Sequence, residues 1–77
     1  MPRFFFDVFD GEKLWADTEG TEHDDVAAAR HEAVDTITSI SRETFPQSGP
    51  GSISIDIRPE DGPAVERLIV SLSVHKL

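Results

Sequence analysis

His31 and Asp35 stand four residues apart in a segment with helical periodicity. That spacing sets an imidazole beside a carboxylate on one helix face, the pairing a general base uses and also a common surface pair. The second cluster is acidic. Glu19, Glu22, His23, Asp24 and Asp25 carry enough oxygen and nitrogen donors for a hard cation. Their spacing does not suit one. Gly20 is the fourth residue counted from Asp17, where a calcium-binding loop needs glycine at the sixth. No His-x-x-x-His pair exists for zinc. Helix capping accounts for Asp24 and Asp25, whose carboxylates can accept the free N–H groups of a first helical turn. His75 lies near the end of the sequence. The serines at 39, 41, 48, 52, 54, 71 and 73 form no nucleophile elbow. Gly49-Pro50-Gly51 lacks the lysine and helix of a phosphate-binding loop. No catalytic, cofactor-binding or metal-binding residue is assigned, and no cofactor is expected.

The elements that position these residues follow from periodicity. Arg3 to Phe9 alternates, with Phe4, Phe6 and Val8 on one side and Arg3, Phe5, Asp7 and Phe9 on the other. Asp10-Gly11 suits a tight turn, because glycine accepts positive φ. Lys13 to Asp17 reads as a short return strand carrying Leu14 and Trp15. A helix begins near Asp24 or Asp25. Its stripe is Val26, Ala29, Ala33, Ile37 and Ile40, widened by Val34, and it ends at or before Phe45, since Pro46 disfavours helical geometry in the residue before it. Ile53, Ile55 and Ile57 alternate with polar residues in a third strand. Pro59 to Pro63 turns the chain into a fourth strand, with Leu68, Val70, Leu72 and Val74 on one side and Ile69, Ser71, Ser73 and His75 on the other.

The expected fold is α+β: a single domain over 1–77, two-layer β-β-α-β-β, with one helix on one face of a four-stranded antiparallel sheet. Order 2-1-3-4 makes every neighbour antiparallel and is preferred to 1-2-3-4, which needs a parallel pair.

Fifteen acids oppose seven bases, for a net charge of −8. That balance opposes binding to nucleic acid and to anionic membranes, both of which reward Lys and Arg. There is no cysteine, so disulfides and thiolate metal sites are excluded. Phe4-Phe5-Phe6 is too short for a signal peptide or a membrane span, and the cytoplasm is the expected location.

Met1-Pro2-Arg3-Phe4-Phe5-Phe6, Asp10-Gly11, Asp17-x-Glu19-Gly20-x-Glu22 and Asp25-x-x-Ala28-Ala29-Arg30-x-Glu32-Ala33 together resemble a family of short bacterial proteins of unknown function. Its members typically open with Met-Pro-Arg-Tyr-Phe-Phe. Ile53-x-Ile55 and Glu60-Asp61-Gly62 extend the similarity to nearly the whole chain. Phe4 replaces the family's tyrosine, and Asp7 stands where a histidine or tyrosine is frequent. The resemblance implies a bacterial single-domain protein and transfers no catalytic residue.

The remaining signal is apolar. One helix covers one face of a sheet, which leaves Phe5, Phe9 and Ile69 on the other, joined by Trp15, with Asp7, Asp56 and Arg58 as polar neighbours. Contiguous exposed aromatic residues mark interfaces. The leading expectation is a non-enzymatic interaction module that forms a homodimer or docks a protein partner, through this face or through an edge strand, where Ser71 and Ser73 offer little obstruction. The alternatives are a small enzyme or ligand-binding subunit using His31 and the acidic segment 17–25, and an acidic protein that binds a basic surface.

Overall fold

The computed structural model describes all 77 residues. Strand β1 spans Arg3–Phe9, β2 Leu14–Trp15 and β3 Thr21–Glu22; helix α1 spans Val26–Ser48; β4 spans Gly51–Pro59 and β5 Glu66–Leu72. The sheet runs β2-β1-β4-β5, with β3 also on β1, and every pair is antiparallel. This is the α+β class expected, with the helix-bearing connection returning the chain beside β1. It adds one short strand: the segment after Trp15 rejoins the edge of β1 at Thr21–Glu22.

The first turn is held by Asp10. Its Oδ1 accepts the N–H of Glu12 at 2.9 Å and of Lys13 at 2.8 Å, and Gly11 takes φ +100°. Asp25 caps α1 by accepting the Ala28 N–H at 2.9 Å. The helix continues past Pro46, contrary to the expected end at Phe45. Proline removes only the N–H that would reach Arg42, an exposed turn where water can serve the carbonyl. The stop is Gly49, at φ +77°, whose N–H returns to the Phe45 carbonyl at 2.9 Å.

Ala29, Ala33 and Ile37 are buried against Phe4, Ile53, Ile55 and Ile57, with Phe6, Val8, Val26, Ile40, Phe45, Leu68 and Val70 packed around them. Two alanines with no exposed surface bring the helix axis close to the isoleucines. Ser41 occupies the next turn of the same stripe. It is buried because its hydroxyl donates to the Ile37 carbonyl at 2.7 Å, satisfying itself within the helix. Val34 does not widen the stripe and is half exposed, one residue and about 100° of rotation beyond Ala33. Val74 does not reach the core either. Strand β5 ends at Leu72, because Leu72 pairs with Gly51, the first residue of β4. No helix is long and apolar enough to cross a membrane.

Candidate interaction surface

Residues directly opposite in an antiparallel pair share a face, so the register builds the uncovered side of the sheet row by row. Phe5 stands opposite Arg58. Asp7 stands opposite Asp56, and Asp56 opposite Arg67. Leu14 pairs with Phe9, Phe9 with Ser54, and Ser54 with Ile69. The face therefore has a charged middle and, at one end, a row in which Leu14, Phe9 and Ile69 are apolar and Ser54 interrupts them.

The charged middle is closed on itself. Arg58 grips Asp7 through Nε at 2.9 Å and Nη2 at 3.2 Å, donates to the Asp17 carbonyl at 3.1 Å, and lies 4.6 Å over the Phe5 ring. Arg67 grips Asp56 at 2.6 and 3.0 Å. The hydrogen bond from Arg58 holds the Asp7 carboxyl below its usual range, against the opposing effect of burial. Arg67 does the same for Asp56.

Asp17 seals the outer edge of β1. Strand β2 covers that edge at Val8 and Phe9, and β3 covers it at Arg3 and Phe4. Between them Asp17 Oδ2 accepts the Phe6 N–H at 3.1 Å, and the Asp17 N–H donates to Asp7 at 2.9 Å. The other oxygen, Oδ1, accepts the N–H groups of Glu19 and Gly20, each at 3.1 Å. Burial pushes the Asp17 carboxyl up, but the N–H groups of Gly20, Phe6 and Glu19 outweigh it and leave the group below its usual range. A single carboxylate thus takes the place of a missing stretch of strand.

The opposite edge is bare. Strand β5 is the last in the sheet and has no neighbour beyond β4. Its two charged residues are already paired, Glu66 to Arg30 by two 2.6 Å bonds and Arg67 to Asp56. Leu68 to Leu72 carries no charge.

Of the four residues expected at an interface, the structure brings Phe9 and Ile69 into one row, 43% and 62% exposed. Phe5 lies apart from them. Arg58 stacks on it, and the turn at Gly20 packs so close that a Cβ there would sit 2.9 Å from the ring. Trp15 lies on the helix side of the sheet: it pairs with Val8, and Lys13 Nζ sits 5.3 Å over its ring. Leu14, 61% exposed, takes the place expected for Trp15. The hairpin phase carries that signal, since any even number of loop residues after Phe9 sets Leu14, not Trp15, on the Phe9 face.

His31 and Asp35 are both exposed, and neither enters an ion pair. His23 is the histidine that the fold uses. Its ring lies 6.4 Å from Phe4 and 6.0 Å from Phe6, and its Nε2 is buried 3.6 Å from Glu32. The acidic residues do not converge as a metal site. Four surface hollows, of about 160 to 460 Å³, lie beside the start of β5, between the first turn and the end of α1, along the last turns of α1, and between the start of β1 and the turn after β4; none is lined by a histidine.

No curated protein and no solved structure matches the chain. A family model does, over residues 3–71, from the first residue of β1 to the penultimate residue of β5. With that match spanning the helix and all but the last residue of the sheet, the chain belongs to the family described as a domain of unknown function, DUF6894.

Proposed function

We propose that the protein is a non-enzymatic interaction module that pairs with another polypeptide through the free edge of β5, with the Leu14–Phe9–Ile69 row flanking the contact. The contrast between the two edges of the sheet carries this reading. An unpaired strand edge is a template for another strand, and proteins commonly block such edges. Here the β1 edge is blocked by two short strands and a carboxylate, whereas the β5 edge offers seven residues with no strand, proline or free charge against them. The same edge stands next to the exposed Ile69. The enzyme alternative has less support, because His31 lines none of the four surface hollows.

Site-specific photocrosslinking in the native host tests this. A photoreactive residue at Ile69 is compared with one at Val34, an exposed apolar position on the helix. A discrete protein adduct from position 69 and none from position 34 is the expected result. No adduct from 69, or equal adducts from both, would overturn the reading.

A further inference from the structure

Five residues follow β5 without joining the sheet. Ser73 to Leu77 are all exposed, and Leu77 has no protein neighbour covering it. The molecule measures 49 Å along its long axis against 21 and 18 Å across, whereas α1, its longest element, accounts for only about 35 Å at 1.5 Å per residue. What stops β5 is its partner. Strand β4 starts at Gly51, opposite Leu72, and beyond it Ser73 has nothing to pair with. The sequence itself does not change character: Leu68, Val70, Leu72 and Val74 continue on one side, and Ile69, Ser71, Ser73 and His75 on the other.

We propose that the polypeptide paired at the β5 edge is a second copy of this chain, antiparallel about a two-fold axis at Ser71, and that Ser73–Lys76 becomes strand in the pair. The proposal rests on the edge reading above and names its partner. The register follows from side-chain type. About Ser71, the helix side of the joined sheet sets Leu72 against Val70 of the second copy, Val74 against Leu68, and Lys76 against Glu66. The other side sets Ser71 against Ser71, Ser73 against Ile69 and His75 against Arg67. Cross-strand pairs of like polarity or opposite charge stabilise a sheet, and Leu72–Val70, Val74–Leu68, Lys76–Glu66 and Ser71–Ser71 are such pairs, whereas Ser73–Ile69 and His75–Arg67 are not. Neighbouring registers lose this match. An axis at Ile69 sets Glu66 against Leu72, one at Val70 sets Glu66 against Val74, and one at Leu72 sets Lys76 against Leu68. The Ser71 axis also gives apolar neighbours to Leu72 and Val74, which are 38% and 72% exposed.

Charge permits the arrangement. Asp10, Glu12, Asp17, Glu19, Glu22, Asp24 and Asp25 belong to the segment that closes the β1 edge. Three strand positions separate that edge from β5, so joining two copies at β5 keeps the acidic segments apart by more than a Debye length at physiological salt. Lys76 approaches a Glu66 carboxylate that holds Arg30 and still has acceptor sites free.

Single cysteines in this cysteine-free chain read the register directly. Directly opposite residues lie within disulfide range. Two Ile69 residues in this register are four positions apart, about 13 Å. Under mild oxidation at tens of micromolar, Ser71→Cys forms a disulfide dimer, Ile69→Cys alone does not, and a mixture of Ile69→Cys with Ser73→Cys forms the mixed dimer. Lys76→Glu raises the dimer dissociation constant about five-fold by sedimentation, as expected for two symmetric pairs. Efficient crosslinking of Ile69→Cys to itself would overturn the register. A monomer with no crosslink from any variant, while position 69 still gives an adduct in cells, would overturn the second copy as partner and leave the edge reading standing. Loss of both results would remove the edge reading too.

Discussion

Asp17→Ala removes the group that closes the β1 edge. The carboxylate accepts three backbone N–H groups, each at 3.1 Å. The Glu19 amide is exposed, so water replaces that bond at little loss. The Phe6 and Gly20 amides are partly buried, and a donor left unpartnered there costs about 1–1.5 kcal/mol. The substitution therefore costs about 2–3 kcal/mol, close to half the ~5 kcal/mol that a small domain has to spare. In a chain of this size that lowers Tm by about 10–20 °C. Asp17→Asn keeps one acceptor oxygen and loses about half as much. Urea titration followed by circular dichroism gives the free energy, and amide exchange at Phe6 gives the local effect. A loss below about 1 kcal/mol, with the Phe6 amide still protected, would refute the claim that this side chain substitutes for a strand.

Other perturbations test other parts of the fold. Ile37→Asp sets a charge among buried isoleucines and abolishes cooperative unfolding, whereas Asp35→Ala on the exposed side leaves the thermal melt unchanged. Gly20→Ala costs at least about 2 kcal/mol, from positive φ together with a Cβ 2.9 Å from the Arg3 and Phe5 side chains and 3.0 Å from the Phe4 carbonyl, whereas Gly11→Ala, with open space around it, bears only the conformational cost of about 1 kcal/mol; comparable denaturation midpoints for the two would refute the loop packing. Asp7, Asp17 and Asp56 all have carboxyls held below their usual range in the folded state. The unfolded chain therefore binds more protons as acid is added, so the stability they supply is complete above about pH 5 and is lost as pH falls through their lowered values; Asp7→Asn flattens that acid limb in urea titrations run at stepped pH. Double-stranded DNA does not bind at sub-micromolar concentration in physiological salt, as a gel shift will show, because a chain of net charge −8 releases few counterions.

The fold was legible where a local rule and a long-range need agreed. Ile53, Ile55 and Ile57 have the period of a strand and are the most deeply buried large side chains. Asp25 precedes an apolar stripe and caps it. Errors arose where one residue served two demands. Pro46 reads as a helix stop, but its missing N–H falls in an exposed last turn, and Gly49 ends the helix three residues later. Val74 has strand periodicity and lacks a partner, because pairing depends on where β4 begins. Trp15 sits on the helix side although its neighbour Leu14 does not, because the parity of the hairpin loop decides which of the two shares the Phe9 face. Asp17 left no local sign of its role. Its contacts with Phe6 and Asp7 join positions ten and eleven residues away, and nothing in the pattern Asp-x-Glu-Gly says that one oxygen will stand in for a strand.

That role changes how the acidic segment is understood. A run of carboxylates before a helix suggests a solvated rim or a docking surface for a basic partner. Three of its members are instead spent on backbone donors: Asp10 on the first turn, Asp17 on β1 and the loop beyond, and Asp25 on the first turn of α1. Arg58 then ties Asp7 and the Asp17 carbonyl together across the sheet. The charges nearest β1 thus hold the loop against the sheet, and the loop denies that edge to any other strand. At β5 the charges also pair inward, Glu66 to the helix and Arg67 to Asp56. There the same economy has the opposite consequence. With its charges bound elsewhere, β5 keeps no free charge to repel an incoming strand, so one sheet carries a closed edge and an available one. Adding charge at the available edge is the direct test: Ser71→Lys leaves urea stability within about 0.5 kcal/mol, because Ser71 is exposed in the monomer, and abolishes association by sedimentation. Unchanged association would show that β5 is not where the molecule pairs.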